Sequence, residues 1–209
     1  MGFTFSTTHV ASQCVEPLEG RSVLLHATKA GIPVYERLGF KEVGLISQHQ
    51  GVVEEIPLCV HLPTGVQLGA ASKADLARLV ELDHRAFGAP RKALIEQLMN
   101  KGAVVVLKHN DQVTGFAVSR AFGRGRVIGP VVASDLELAK ALISHGLVQA
   151  QQSPNTFVRV DVHEKSGLEP WLSDLNLKSA GGAVAMVKGT VPKRDPMMKS
   201  WALVSQSLG

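Results

Sequence analysis

The stretch Ser22–Phe40, SVLLHATKAGIPVYERLGF, constrains the fold more than any other part of the chain. Ser22–His26 is a short apolar run of the kind that makes a buried strand. Ala27–Gly31 is a polar break containing a glycine. Ile32, Val34, Tyr35 and Leu38 recur at helical spacing, and Gly39 can stop that helix in a left-handed conformation that a side chain would resist. Phe40, Val43, Leu45 and Val52 carry on as a strand. The chain up to residue 62 is too short a piece to bury enough surface alone. Its strands are therefore expected to extend or cover the sheet formed by the remainder, in this chain or in a swapped partner.

The remainder reads as a regular series. Val66–Leu68 is a short strand. Ser72 caps a helix, with Asp75 in the capping-box position. Leu76, Leu79, Val80 and Leu82 form its apolar face, and Gly88-Ala89-Pro90 ends it. Arg91–Asn100 is a second helix, with Gly102 just beyond. Ala103–Lys108 and Val113–Arg120 form a hairpin about Asn110-Asp111-Gln112. Arg126–Ala133 is a further apolar strand. A helix opens at Ser134, where Ser134 and Glu137 have capping-box spacing. Phe157–Val162 is a strand, Gly167–Leu175 a helix and Ala183–Val187 a strand. Thr190–Gly209 is a tail, basic and then amphipathic about Trp201, Leu203 and Val204. The divisions expected are 1–62, 63–189 and the tail 190–209.

The 209 residues carry a net charge of +4, with the basic groups scattered and not interleaved with aromatics. That pattern predicts a solvated surface and no nucleic-acid partner. Cys14, Cys59 and His61 lack metal-ligand spacing, so no metal site is expected and two free thiols fit a cytoplasmic protein. No apolar run is long enough to span a membrane, and the N-terminus lacks the pattern of a signal peptide. Met1–Ser6 matches a myristoylation pattern too short to carry weight.

Val34-Tyr35-Glu36-Arg37-Leu38-Gly39-Phe40 resembles the Leu-Tyr-x-x-Leu-Gly-Phe pattern of the GNAT superfamily, the Gcn5-related N-acetyltransferases, lacking its first Leu. Arg126–Ala133, with Val160-Asp161-Val162 downstream, resembles the second domain of bacterial tandem GNAT proteins. There is also an internal echo. Val158–His163 corresponds to Val23–Thr28, and Leu175-Asn176-Leu177 to Leu38-Gly39-Phe40. The expected architecture is α/β: a GNAT-type mixed sheet flanked by helices, preceded by a partial strand–helix–strand copy of the same fold. The family's phosphate loop matches nothing in Met1–Arg21, so the resemblance implies that the first copy is N-terminally incomplete.

The resemblance implies acetyl-CoA as cofactor and an amine as acceptor, small-molecule or peptide. By resemblance Tyr35, the one tyrosine of the chain, falls on the position of the family's general acid, which protonates the departing thiolate. Packing on its own sheet is the other reading of that ring. In the second copy the matching position is Leu172, beside Trp171, and neither is an acid. The family's cofactor pairs like a strand where its fourth and fifth strands splay apart, which here implies Gly129, Val131, Val132 and Ala133. Its pyrophosphate rests on a helix N-terminus, but Asp135 and Glu137 give that end of the helix the wrong charge. Asp161 and His163 lie two apart on a strand and face one side. They are candidates for a base and its orienter, or for polar residues satisfied at a strand end. His26 and Thr28 are their first-copy counterparts. Asp83-His84 are adjacent on a helix and do not face each other.

Three functions follow as expectations. The first is acetyl-CoA-dependent N-acetyl transfer. The second is a non-catalytic GNAT-like module for binding or for homodimer formation. The third is a sensor that binds acyl-CoA without turnover.

Overall fold

A computed structural model describes residues 18, 20–54, 62–152 and 155–208. Cys14, Cys59, His61 and the myristoylation pattern lie outside the described residues. The elements in chain order are β1 (Val23–Ala27), α1 (Ile32–Arg37), β2 (Lys41–Val52), β3 (Val66–Ala70), a short 3₁₀ turn (Lys73–Asp75), α2 (Leu76–Phe87) and α3 (Lys92–Lys101). Then come β4 (Ala103–His109), β5 (Gln112–Phe122), β6 (Gly125–Ala133), α4 (Leu136–Gln151), β7 (Phe157–His163), α5 (Glu169–Asp174), β8 (Lys178–Lys188) and β9 (Lys199–Ala202).

Local chemistry accounts for the punctuation. Gly39 sits at φ +87° and closes α1, and Gly88 does the same for α2 at φ +89°. The Ser72 backbone N–H donates to Asp75 Oδ2 at 2.7 Å, which fixes the entry into α2 and holds the Asp75 carboxyl below its usual range. Asn110 and Asp111 both adopt positive φ, the geometry of a tight turn between two strands, and they join β4 to β5.

The nine strands of the described residues join one sheet in the order β1-β8-β2-β7-β9-β6-β5-β4-β3. From β3 to β6 it is a plain antiparallel meander. Alternation along its strands separates two cores. Leu107 and Ala117 face α4, in a core that continues through Leu142, Leu147 and Leu172. Val106 and Phe116 face the other way, against Leu79 and Leu82 of α2 and Ile95 of α3. On β7, Val158, Val160 and Val162 belong to the first core. Arg159, Asp161 and His163 therefore point to the opposite face.

The strands of the first sixty residues do enter the sheet, as expected. β2 lies between β7 and β8, antiparallel to both, with Ile46 opposite His163 and Leu45 opposite Val184. β1 pairs with β8, placing His26 opposite Ala185. The run β1-β8-β2-β7 thus reads alike from both ends if β1 is matched to β7 and β2 to β8. Each strand–helix–strand unit lends its second strand to the first strand of the other.

The stretch expected as a tail contributes β9, which lies inside the sheet between β6 and β7. No helix among the described residues is long and apolar enough to cross a membrane.

Candidate functional site

The part of the sheet that can open a cleft is the junction of β6 and β7. These strands are parallel and pair at Arg126–Val158 and Val127–Arg159. Beyond that point β9 separates them. It pairs with β6 through Val131–Ala202, Val132–Ser200 and Ala133–Lys199, and with β7 through Ala202–Val162. The Trp201 indole N–H donates to the Ala133 carbonyl at 3.0 Å, and the Leu203 N–H donates to the Asp161 carbonyl at 2.8 Å. Arg120 Nη1 donates to the Gly129 carbonyl and Nη2 to the Val204 carbonyl, bracing the inserted segment from β5. A side chain at position 129 would collide with the Leu203 carbonyl, so only glycine fits there.

This changes the reading of Gly129, Val131, Val132 and Ala133 as a cofactor edge. Val131 and Val132 pair with Ala117 and Phe116 of β5 on one side and with β9 on the other. Both hydrogen-bonding edges of β6 are in use there, and an acetyl-CoA pantetheine could pair with it only by displacing β9. The helix that follows is closed in the same way. Its cap is Asp135, one residue later than expected, and Asp135 Oδ1 accepts from the Leu138 N–H at 2.9 Å. Ser134 Oγ donates to the other carboxylate oxygen of Asp135 instead of capping the helix itself. Glu137 pairs with Lys140 at 2.8 Å and so does not close a capping box. The strand edge is thus paired and the helix end capped by a carboxylate, so neither is open in this wedge.

Asp161 and His163 share a face, but the structure does not join them as base and orienter. Asp161 is fully buried. Its two oxygens take Arg159 Nε and Nη2, each at 2.8 Å, and Oδ2 also accepts the Gln206 N–H at 2.9 Å. A carboxylate so engaged anchors the segment after β9. Tyr35 is not brought to either residue. It packs at the far edge of the sheet against Ala27, Val184 and Met186, with its ring edge-on to Phe40 at 5.7 Å. Thr28 lies in the turn after β1. Leu172 is a core residue below the first face. Asp83 is buried and held in a two-pronged pair by Arg91, whose guanidinium also stacks on Phe87 at 3.7 Å. His84 takes no part in that pair.

His26 and His163 do come together. Both line a cavity of about 480 Å³ closed by the C-terminal segment. His26 Nδ1 donates to the Gln206 carbonyl at 2.6 Å. His163 is pushed down to about 4, first by burial and then by the Arg194 and His26 charges. Arg194, also on the cavity wall, is lowered by burial and by Arg91. Sequence reasoning missed Arg194 and β9. The apolar rhythm of Trp201, Leu203 and Val204 was the available signal. No cluster of three or more His, Cys, Asp or Glu among the described residues could hold a metal ion.

Comparison with known proteins identifies the fold. The family model of the acetyltransferase (GNAT) domain matches residues 79–200, more than half of the chain. The uncharacterized N-acetyltransferase YitH of Bacillus subtilis is 26% identical over 195 residues, covering 91% of this chain and 66% of that protein. A Pyrococcus horikoshii protein with an acetyltransferase designation superposes with a TM-score of 0.71 at 17% identity, over 97% of this chain and 66% of that one. A GCN5-related N-acetyltransferase of Sphaerobacter thermophilus gives 0.63 at 15% identity, over 86% and 64%. The chain spans about two thirds of the length of each of these proteins.

Two outcomes follow. Asp161→Ala strands the Arg159 guanidinium and removes the acceptor of Gln206, and costs about 3–5 kcal/mol in urea unfolding. Asp161→Asn keeps one acceptor and costs less. A residue that acted in catalysis alone would leave the midpoint in place. His163 is neutral in the fold and binds its proton more readily once unfolded, so its contribution to stability is present above its ordinary pKa. It is lost as the pH falls toward 4. Stability measured between pH 7 and 4 therefore declines, and His163→Gln flattens that decline.

Proposed function

The chain belongs to the GNAT acetyltransferase family, and on that premise we propose that it serves acetyl-CoA-dependent transfer of an acetyl group to a small-molecule or peptide amine. Within it, residues 79–200 act as a GNAT-shaped binding module that does not hold the cofactor in its own wedge. One observation carries this reading: β9 pairs with β6 and β7 where a cofactor would have to pair. The Asp135 cap supports it, because a carboxylate already uses the helix N-terminus. In this reading Tyr35 packs and Asp161 anchors, and neither moves a proton. The palindromic order β1-β8-β2-β7 supports descent of the two strand–helix–strand units from one half-fold.

Amide hydrogen exchange with and without saturating acetyl-CoA tests the reading. The amides of Val131–Ala133 and Lys199–Leu203 should keep the same rates. Faster exchange at Lys199–Leu203 with retained protection at Val131–Ala133 would mean that the cofactor expels β9 and takes its place. The module reading would then be wrong.

A further inference from the structure

The cavity that holds His26 and His163 is electrostatically one-sided. Among the described residues its wall carries three basic side chains, His26, His163 and Arg194, and no Asp or Glu. The nearest carboxylate on β7, Asp161, is consumed by Arg159 and the Gln206 N–H. A second cavity of about 390 Å³ shares His163, Arg194 and Ser200 with the first and adds Lys165 and Lys199. The one acid among its described residues, Asp195, is taken by Arg85 at 2.8 Å and by the Met197 N–H. Arg194 has no hydrogen bond or ion pair among the described residues. No carboxylate among the described residues answers the charge of these groups, and that charge adds to burial in keeping His163 neutral.

The rest of the first cavity is apolar, with Leu24, Leu25, Met186, Leu203 and Phe87 on its wall. Such a surface favours a hydrocarbon body, while the basic end favours an oxyanion. The guanidinium of Arg194 offers a planar fork that suits a carboxylate or a phosphate. His26 Nδ1–H is committed to Gln206, which leaves Nε2 as its second polar atom. His163 has no hydrogen-bond partner among the described residues, so both its ring nitrogens are available.

We propose that this cavity binds a small organic anion, its carboxylate or phosphate head held by Arg194 and His163 with His26 beside them, and its apolar body against the leucine-rich wall. The proposal deepens the binding-module reading and rests on it. An anion placed between Arg194 and His163 would offset the neighbouring positive charge and favour the imidazolium against burial, so His163 would take up a proton more readily as the ligand enters.

The test is calorimetric titration of the full chain with hexanoate, hexyl phosphate and the neutral hexanamide, with His163 followed by NMR. Hexanoate or hexyl phosphate should bind about tenfold tighter than hexanamide, and His163 should titrate at a higher pH in the bound state. The tighter of the two anions names the head group. Arg194→Gln should abolish the preference while leaving hexanamide binding unchanged, which also shows that the cavity is intact. Equal binding of hexanoate and hexanamide, an anion preference that survives Arg194→Gln, or no saturable anion binding up to millimolar concentration would each overturn the proposal. The readout is separate from the exchange of β9: displacement of β9 by acetyl-CoA would defeat the module reading, whereas loss of the anion preference with β9 in place would defeat this proposal alone.

Discussion

The structure depends on one insertion, the strand Lys199–Ala202 driven between two parallel strands that diverge. Parallel strands that separate leave backbone N–H and C=O groups facing each other across a gap too wide for hydrogen bonds. Such groups must be satisfied by something when they are buried. Here the chain supplies its own answer. Val131, Val132 and Ala133 on one side and Val162 on the other are paired by β9. The segment then turns across Asp161, which takes the Gln206 N–H. Asp161 can be buried because Arg159 meets it with two hydrogen bonds. An unpaired carboxylate at that depth would be costly.

That insertion also defines what is left open. Past β9 the chain returns across the face of β7 that carries Asp161, where the Gln206 N–H meets its carboxylate, and Arg194, Leu203 and Gln206–Leu208 line the cavity that holds His26 and His163. The other half of the sheet adds the remaining wall. β2 enters between β7 and β8, and β1 closes on β8, so that His26 is carried to the same cavity as His163. Family membership speaks of acetyl transfer, while the local geometry of this wedge speaks of a groove already filled. The two agree if the domain keeps the family's shape and uses it to bind something other than the cofactor.

Most of the individual elements were legible because their causes are local. The helical spacing of Ile32, Val34, Tyr35 and Leu38, ended by Gly39, gave α1 to within a residue or two. Ser72 and Asp75 marked the start of α2, and Asn110-Asp111 marked a hairpin. What was not legible depended on distant partners. β9 has four residues and follows Lys193–Pro196, a stretch with no strand signal. Its pairing with β6 and β7 is decided by a gap elsewhere in the sheet. The cap lies at Asp135, one residue later, because Ser134 sits in the bend after β6 and its hydroxyl donates to the Asp135 carboxylate instead of accepting from the helix. The rule that placed Asp161 and His163 on one face also placed Arg159 there, and Arg159 decides what Asp161 does. Arg194 lay in a segment read as tail, and no periodicity could assign it to a cavity.

The most direct measurement of the account is hydrogen exchange at the indole N–H of Trp201. That proton is donated to the Ala133 carbonyl inside the wedge, and one resolved NMR signal reports it. If β9 is a permanent part of the sheet, the indole N–H exchanges only when the whole chain unfolds, at the rate of the slowest core amides of β6. Exchange at the rate of a solvent-exposed indole would show β9 leaving the wedge under native conditions. The groove between β6 and β7 would then be open to a cofactor after all.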